Sequence, residues 1–118
     1  MTAEDRNRAT WARFAHAWAR RDLDALMSVV TDDIVYAASV GPEPGTTYRG
    51  RDDVRNGFAA MLAHDDALEV SEGPMTFLGN RAYAEWAYVV ARPDGSPATV
   101  RGIDVLEFVD GRLARKDA

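Results

Sequence analysis

The spacing of the apolar residues changes once along this chain, near residue 64. Before that point most apolar residues recur every three to four positions, as they do in helices with one buried face. After it they alternate with polar residues, as they do in strands with one buried face. Helices therefore precede most of the sheet, and the predicted fold class is α+β.

Three amphipathic helices are predicted, at residues 3–20, 23–30 and 51–64. Asp22 is a good N-cap for the second helix because its carboxylate can accept a hydrogen bond from a free backbone N–H. Asp52 and Asp53 favour the third helix because they lie at the positive end of its dipole. The residues expected on the buried faces are Trp11, Phe14, Ala15, Trp18, Leu23, Leu26, Met27, Val30, Val54, Phe58, Met61 and Leu62.

The strands are predicted from extended-backbone formers and from alternation. One lies between the helices at residues 34–38, after a break at Thr31-Asp32-Asp33, and residues 39–50 are predicted to be a Gly- and Pro-containing loop. The other strands are predicted at residues 68–72, 75–78, 81–92, 98–109 and 112–116. Two of these are about twice the usual five or six residues, so the sheet must bend. The helices can then cover its concave face and leave a cavity.

Composition excludes several kinds of protein and site. At 118 residues the chain is predicted to be one domain, residues 1–118. A net charge of −5 argues against a nucleic-acid partner. The sequence has no cysteine and two isolated histidines, so neither disulfides nor a metal site is predicted, and no cofactor is expected. No leader-like or membrane-spanning apolar run is evident, so a cytoplasmic protein without a membrane partner is expected.

Several short segments occur in an informative order. They are Asp22-Leu23-Asp24, Asp32-Asp33, Val40-Gly41-x-Glu43-Pro44 and residues 100–108, which close on Asp110-Gly111. With these segments the chain resembles the nuclear-transport-factor-2-like (NTF2-like) superfamily, in the branch of ketosteroid isomerases and SnoaL-like polyketide cyclases. The resemblance covers nearly the whole chain. It implies a cone, in which three N-terminal helices pack on a strongly curved, mixed but mostly antiparallel sheet that encloses a ligand cavity.

The resemblance to ketosteroid isomerases extends to one of their three functional residues. Those enzymes use a carboxylate base, a tyrosine donor and a neutral aspartic acid donor. Ile103-Asp104 matches the aspartic acid and its preceding residue, whereas Phe14 stands at the tyrosine position and Ala38 at the base position. A methyl group cannot accept a proton and a phenyl ring cannot donate a hydrogen bond to an oxyanion. Ketosteroid isomerisation by the family mechanism is therefore not predicted.

Asp104 is the predicted catalytic residue. Alternation places it on the inward face of its strand, in an otherwise apolar row with Val100, Gly102, Leu106 and Phe108. Two interpretations stay open. Without a partner, burial favours the neutral acid, which could donate a proton or a hydrogen bond to a ligand. Alternatively, Asp104 pairs with an arginine or a tyrosine hydroxyl and has a structural role.

A small-molecule site is predicted around Asp104. We hypothesise that Tyr36 or Tyr88 donates a hydrogen bond to Asp104; ordinary core packing is the alternative for both tyrosines. His16 lies on the polar side of the first helix and is given no role. The predicted ligand-binding residues are Phe14, Trp18, Tyr36, Ala38, Phe58, Met61, Trp86, Tyr88 and Leu106.

The predicted function is a cavity protein for a small, largely apolar, carbonyl-bearing molecule of steroid or polyketide type. If the protein is an enzyme, the resemblance implies an isomerase or cyclase that transfers a proton next to a carbonyl. The alternatives are a non-catalytic ligand-binding module and a dimerisation module. A homodimer is expected through the outer face of the sheet, where alternation places Arg101, Ile103, Val105 and Val109.

Overall fold

Helices cover part of one six-stranded sheet in this protein. The computed structural model describes residues 1–39, 45–64 and 69–118. Its elements are α1 (Ala3–Ala19), α2 (Leu23–Met27), β1 (Val30–Ala37), β2 (Thr47–Arg49), α3 (Arg51–His64), β3 (Glu69–Leu78), β4 (Arg81–Ala91), β5 (Pro97–Val109) and β6 (Arg112–Asp117). The strand order is β2-β1-β6-β5-β4-β3, with β1 and β6 parallel and the other pairs antiparallel. The predicted α+β class and the mixed, mostly antiparallel sheet are confirmed.

The end of the second predicted helix was placed wrongly. The second helix was expected to run to Val30 and to end at Thr31-Asp32-Asp33, but α2 ends at Met27 and these residues lie within β1. Asp22 caps α2 as predicted, since its carboxylate accepts a hydrogen bond from the backbone N–H of Ala25 at 3.1 Å. The strand begins early because the backbone there pairs with β6, which is distant in sequence.

The predicted loop at residues 39–50 contains a strand. Three of its residues form β2, in which Tyr48 pairs with Tyr36 of β1 and stacks on its ring at a centroid distance of 5.8 Å. On its other side Tyr48 lies against α3, where a Cβ on Gly57 would come within 2.6 Å of the ring. A side chain at position 57 would therefore push β2 away from the helix.

The predicted strands at residues 68–72 and 75–78 form one strand, β3. The ladder with β4 is irregular between Glu72 and Met75, because Pro74 has no N–H to donate and the intervening residues interrupt the register. Irregularities also occur in the β1–β6 and β5–β6 ladders. Such bulges bend strands and increase their twist. This agrees with the bent sheet expected from the two long strands. Residues 40–44 of the predicted loop and Leu68 lie outside the described residues.

The buried face of α1 is partly polar. It consists of Asn7, Thr10, Phe14 and Ala17, whereas Trp11 and Trp18 of the predicted stripe are half-buried. The Asn7 amide donates to the Asn80 side-chain oxygen at 3.0 Å, and the Thr10 hydroxyl donates to the carbonyl of Gly111. These bonds satisfy both buried polar groups and fix the N-terminal half of α1 to the β3–β4 and β5–β6 turns.

The centre of the core is an aromatic cluster built around Phe58 of α3. The Phe58 ring lies 4.8 Å from Tyr36, 5.5 Å from Phe14 and 5.8 Å from Trp18, measured between ring centroids. Helices α1 and α3 therefore meet β1 through aromatic rings. In the described part of the chain, no helix is long and apolar enough to span a membrane.

Candidate functional site

A buried ion pair lies on the helix-covered face of the sheet. Asp104 of β5 and Lys116 of β6 are each 7% exposed, and the Lys116 Nζ lies 3.7 Å from the Asp104 Oδ2. The indole Nε1 of Trp86 on β4 donates a hydrogen bond to the Asp104 Oδ1 at 2.9 Å. The partners of Asp104 are thus an amine and an indole, rather than the arginine, Tyr36 or Tyr88 considered from the sequence.

Lys116 has an aromatic environment. Its Nζ lies 4.9 Å from the ring centroid of Tyr36 and 5.5 Å from that of Trp18, so both rings face the amine. Burial lowers the pKa of Lys116, and the Asp104 carboxylate opposes that decrease by stabilising the ammonium. An ammonium in this position can donate to a ligand oxygen, while its neutral form can act as a base or nucleophile.

Tyr36 is neutral over the physiological pH range. Burial raises the pKa of its hydroxyl, and the neighbouring Asp104 and Tyr48 raise it further. Its ring packs between Tyr48, Phe58 and the Lys116 amine. Tyr36 is therefore part of the enclosure around the amine.

An aromatic wall extends from the ion pair along β4. Trp86 and Tyr88 stack with ring centroids 5.3 Å apart at 15°, and both are half-buried. Val70, which pairs with Tyr88 across the β3–β4 ladder, is 64% exposed on the same face. We call Trp86, Tyr88 and Val70 the wall. It offers a half-buried, largely apolar surface whose inner end contacts the Asp104 carboxylate.

Gly102 of β5 permits the position of the Trp86 indole. The two residues are opposite each other in the β4–β5 ladder, and a Cβ on Gly102 would lie 2.1 Å from the indole ring. The indole therefore lies directly on the β5 backbone, with its N–H directed at Asp104 two residues along.

Replacing Gly102 with alanine is expected to displace the indole and remove its hydrogen bond to Asp104. The added methyl group should lower the free energy of unfolding by about 1–3 kcal/mol, the usual cost of overpacking. Urea unfolding measures the loss, and a shifted tryptophan emission maximum reports the displacement. Thr99→Ala, an exposed change on the same strand, should leave both quantities unchanged. An unchanged emission spectrum in Gly102→Ala contradicts the prediction.

The predicted ligand-binding residues divide into two groups. Five are buried in the core, namely Phe14, Tyr36, Ala38, Phe58 and Leu106. Four are half-buried, namely Trp18, Met61, Trp86 and Tyr88. Because the first group is packed against the aromatic cluster, the inner end of the predicted cavity is filled by side chains. Among the described residues, the wall is a half-buried part of that face from which a ligand can reach the ion pair.

Two surface grooves lie away from the ion pair and have charged linings. One, of about 490 Å³, is lined by Arg20, Arg21, Asp22, Leu23, Asp24 and Arg55. The other, of about 370 Å³, is lined by Thr31, Asp32, Asp33, Val109, Asp110 and Arg112.

Within residues 1–39, 45–64 and 69–118, no group of three or more His, Asp or Glu side chains converges as a metal site requires. His16 is exposed on α1, as the sequence predicts, and the side chain of His64 lies outside the described residues.

Lys116 was missed by the sequence analysis, which placed it only at the end of the last strand. A signal was present, because Lys116 is the only lysine in a sequence with thirteen arginines. Its inward direction and its partner depend on the register between β5 and β6, in which Lys116 is opposite Leu106. That register is irregular, so simple alternation does not predict it.

The lowered pKa of Lys116 predicts a pH dependence of stability. Between its value in the folded protein and the ordinary 10.5, the unfolded chain binds more protons, so the free energy of unfolding should rise with pH. Ionisation of tyrosine has the opposite effect above about pH 10, because the pKa of Tyr36 is raised on folding. Urea unfolding from about pH 7 to about pH 10 measures the slope. In the variant Asp104→Asn/Lys116→Met the rise should disappear; equal slopes would contradict the assignment.

Comparisons with known proteins agree with the fold. Residues 11–116 match the SnoaL-like domain. An NTF2-like protein of unknown function from Mesorhizobium loti is 22% identical, with a TM-score of 0.78 over 99% of this chain and 92% of that one. Bal32a, from a soil-derived mobile gene cassette, is 15% identical, with a TM-score of 0.80 over 98% and 89% of the two chains.

A third solved structure is that of TerC, co-crystallized with polyporic acid. It is 18% identical, with a TM-score of 0.74 over 95% of this chain and 88% of TerC. No curated protein matches the sequence. The structural similarities establish the fold, and the domain match covers most of the chain. Its fold is that of an NTF2-like protein, and the protein belongs to the SnoaL-like domain family.

Proposed function

We propose that this protein binds a small, largely apolar, carbonyl-bearing molecule against the wall, with the Asp104–Lys116 pair at the polar end of the site. The observation that carries the proposal is the double role of Trp86. Its ring forms the half-buried wall with Tyr88, while its N–H contacts the buried Asp104 carboxylate. A ligand stacked on the wall would thus have its polar end close to the ion pair.

The chemistry of the site suits such a ligand. Stacked aromatic rings favour flat apolar molecules, and few but well-placed polar groups fix the orientation of a ligand. The Lys116 ammonium can donate a hydrogen bond to a carbonyl or phenolate oxygen. TerC, which has a similar fold, was co-crystallized with an organic acid, polyporic acid.

Proton transfer next to the ligand carbonyl is the reaction that this pair could support. Because Asp104 is ion-paired, we assign it as the proton acceptor, and Lys116 as the donor that stabilises the developing oxyanion. This reverses the role predicted for Asp104 from the sequence, where it was a candidate acid. The Asp104–Lys116 pair also supplies an acceptor and a donor, which Phe14 and Ala38 cannot provide.

Fluorescence titration tests the binding proposal. Steroid-like ketones, fused-ring phenols and polyporic acid are added to the protein, and quenching of tryptophan emission is followed to saturation. We expect saturable quenching, with affinity weakened about tenfold or more in Trp86→Leu, which is a loss of about 1.4 kcal/mol. Trp11→Leu is the matched control, because Trp11 packs on Phe14 away from the wall. Absence of saturable quenching by every compound contradicts the proposal.

Hydrogen–deuterium exchange on a bound ketone distinguishes an enzyme from a binder. Exchange at the carbon next to the carbonyl, followed by NMR, should be accelerated by the protein and lost in Asp104→Asn. Binding without acceleration identifies the non-catalytic alternative.

A homodimer through the outer face of β5 is the second part of the proposal. Ile103 and Val109 are 48% and 54% exposed on that face, which is large exposure for apolar residues. Static light scattering should give the unmodified protein a mass of twice 13.0 kDa. The Ile103→Lys variant should give the mass of a single chain. A monomeric mass for the unmodified protein contradicts this part of the proposal and leaves ligand binding unaffected.

A further inference from the structure

The chain places its one lysine where none of its arginines lies. All thirteen arginines are exposed or half-buried, whereas Lys116 is buried. Long cationic side chains are rarely buried, because removing the charge from water is unfavourable. The distribution therefore needs an explanation other than surface charge.

A lysine and an arginine differ chemically in this position. A guanidinium stays charged at every accessible pH and binds a carboxylate with two parallel hydrogen bonds. An amine makes a single-point contact, here with the Nζ 3.7 Å from the Asp104 Oδ2, and it can lose its proton. An amine without its proton is a nucleophile for carbonyl carbon.

Burial of the amine favours that neutral form. The groups facing the Nζ are the Trp18 ring from α1, the Tyr36 ring from β1 and the Asp104 carboxylate from β5. Burial lowers the pKa of Lys116 against the opposing effect of the carboxylate, and the two ring faces attract the ammonium. The third is a carboxylate that can accept the proton the amine releases.

The amine is also close to the wall. The Asp104 carboxylate contacts both the Trp86 N–H, through Oδ1 at 2.9 Å, and the Lys116 Nζ, through Oδ2. One carboxyl group therefore separates the edge of the half-buried indole from the nitrogen. A carbonyl group at the inner end of a ligand stacked on Trp86 would meet this carboxylate and this amine together.

We infer that the Lys116 amine condenses reversibly with an aldehyde or ketone group of a ligand held on the wall, while Asp104 carries the proton. This inference rests on the proposed function and specifies its ligand as a carbonyl compound that can form an imine.

The steps balance without a further reactant. The ammonium gives one proton to Asp104, and the nitrogen lone pair attacks the carbonyl carbon to form the C–N bond. Asp104 returns that proton to the former carbonyl oxygen, and the second nitrogen proton passes to Asp104. Loss of the oxygen as water, with that proton supplied again from Asp104, leaves the protonated imine beside the Asp104 carboxylate. Addition of water reverses the sequence.

Reductive trapping tests the inference on the unmodified protein. The folded protein is treated near pH 7 with 2-naphthaldehyde, whose fused rings suit the wall, and with cyanoborohydride, which reduces an imine to a stable amine. Fragmentation of the intact protein by mass spectrometry locates the added mass. The sequence has only two amines, those of Lys116 and the Met1 N-terminus, so the exposed N-terminus is an internal reference.

We expect an adduct on Lys116 in the folded protein and its absence in Lys116→Arg, with N-terminal labelling equal in both. Adding 2-naphthol, which stacks but cannot condense, should slow labelling of Lys116 at least about threefold and leave the N-terminal rate unchanged. The labelling rate of Lys116 should also rise with pH through a midpoint below 10.5.

Labelling of the N-terminus alone, with Lys116 reacting only after unfolding in urea, overturns the inference. Saturable quenching of Trp86 by 2-naphthol in that same protein would leave the proposed binding function standing. If 2-naphthol neither quenches tryptophan emission nor protects Lys116, the proposed function fails as well. The two failures are therefore separable.

Discussion

Replacing Asp104 with alanine is expected to lower the free energy of unfolding by about 3–5 kcal/mol, the usual effect of removing one partner from a buried ion pair. The variant leaves the Lys116 ammonium buried between the Trp18 and Tyr36 rings without its carboxylate. It also removes the acceptor of the Trp86 N–H. Urea unfolding at about pH 7 measures the change.

Two comparisons isolate the buried charge as the cause. Asp104→Asn/Lys116→Met removes both charges and keeps an acceptor for Trp86, so it should be less destabilised than Asp104→Ala. Glu107→Ala removes one partner of the half-exposed Arg81–Glu107 pair, at 3.8 Å on the neighbouring part of the same strand. That pair should contribute no more than about 1 kcal/mol. Equal losses in Asp104→Ala and Glu107→Ala would show that burial of the pair has no energetic consequence.

Replacing Phe58 with alanine is expected to lower the free energy of unfolding by about 3–5 kcal/mol, as large-to-small changes of buried aromatic residues do. Phe58 is 0% exposed, and its ring contacts Phe14, Trp18 and Tyr36. The change therefore removes contacts from α1 and β1 at once and leaves a cavity among aromatic rings. Urea unfolding measures the loss.

Phe58→Leu is the matched control for this prediction. It keeps most of the buried apolar volume, so it should cost clearly less than the alanine variant. A loss below about 1 kcal/mol in Phe58→Ala would contradict the tight packing of the cluster. The predicted cost follows from a filled core, and it is the filling of this core that places the proposed ligand site on the wall.

The chemistry proposed here differs from that implied by the resemblance to ketosteroid isomerases. Phe14 and Ala38, at the tyrosine and base positions, are both buried in the core and cannot supply donors or acceptors. Asp104 matches the family's aspartic acid, but here it has an amine partner. A donor and an acceptor are thus both present, on β6 and β5.

Much of the fold could be predicted because the relevant signals are local. Between the predicted strands at residues 81–92 and 98–109, the segment Pro93-Asp94-Gly95-Ser96 has residues typical of a turn, and there the Gly95 N–H donates to the Arg92 carbonyl at 2.8 Å with Gly95 at φ +86°. The inward position of Asp104 followed from alternation within β5 alone. The break at Thr31-Asp32-Asp33 was misplaced because Val30 and Val35, on either side of it, pair with β6 and keep the segment in the sheet against its local preference.

The site itself depends on contacts that no local pattern encodes. Trp86 reaches Asp104 because Gly102, on the facing strand, has no side chain. Lys116 meets Asp104 because an irregular β5–β6 register directs it inward. By itself the sequence determined the order of the elements, the inward carboxylate, and the presence of Phe14 and Ala38 where ketosteroid isomerases have a tyrosine and a base. It could do so because periodicity and residue chemistry are properties of neighbours in the chain. Only the tertiary structure decided the partner of that carboxylate and the filling of the core, because both depend on packing between segments distant in sequence.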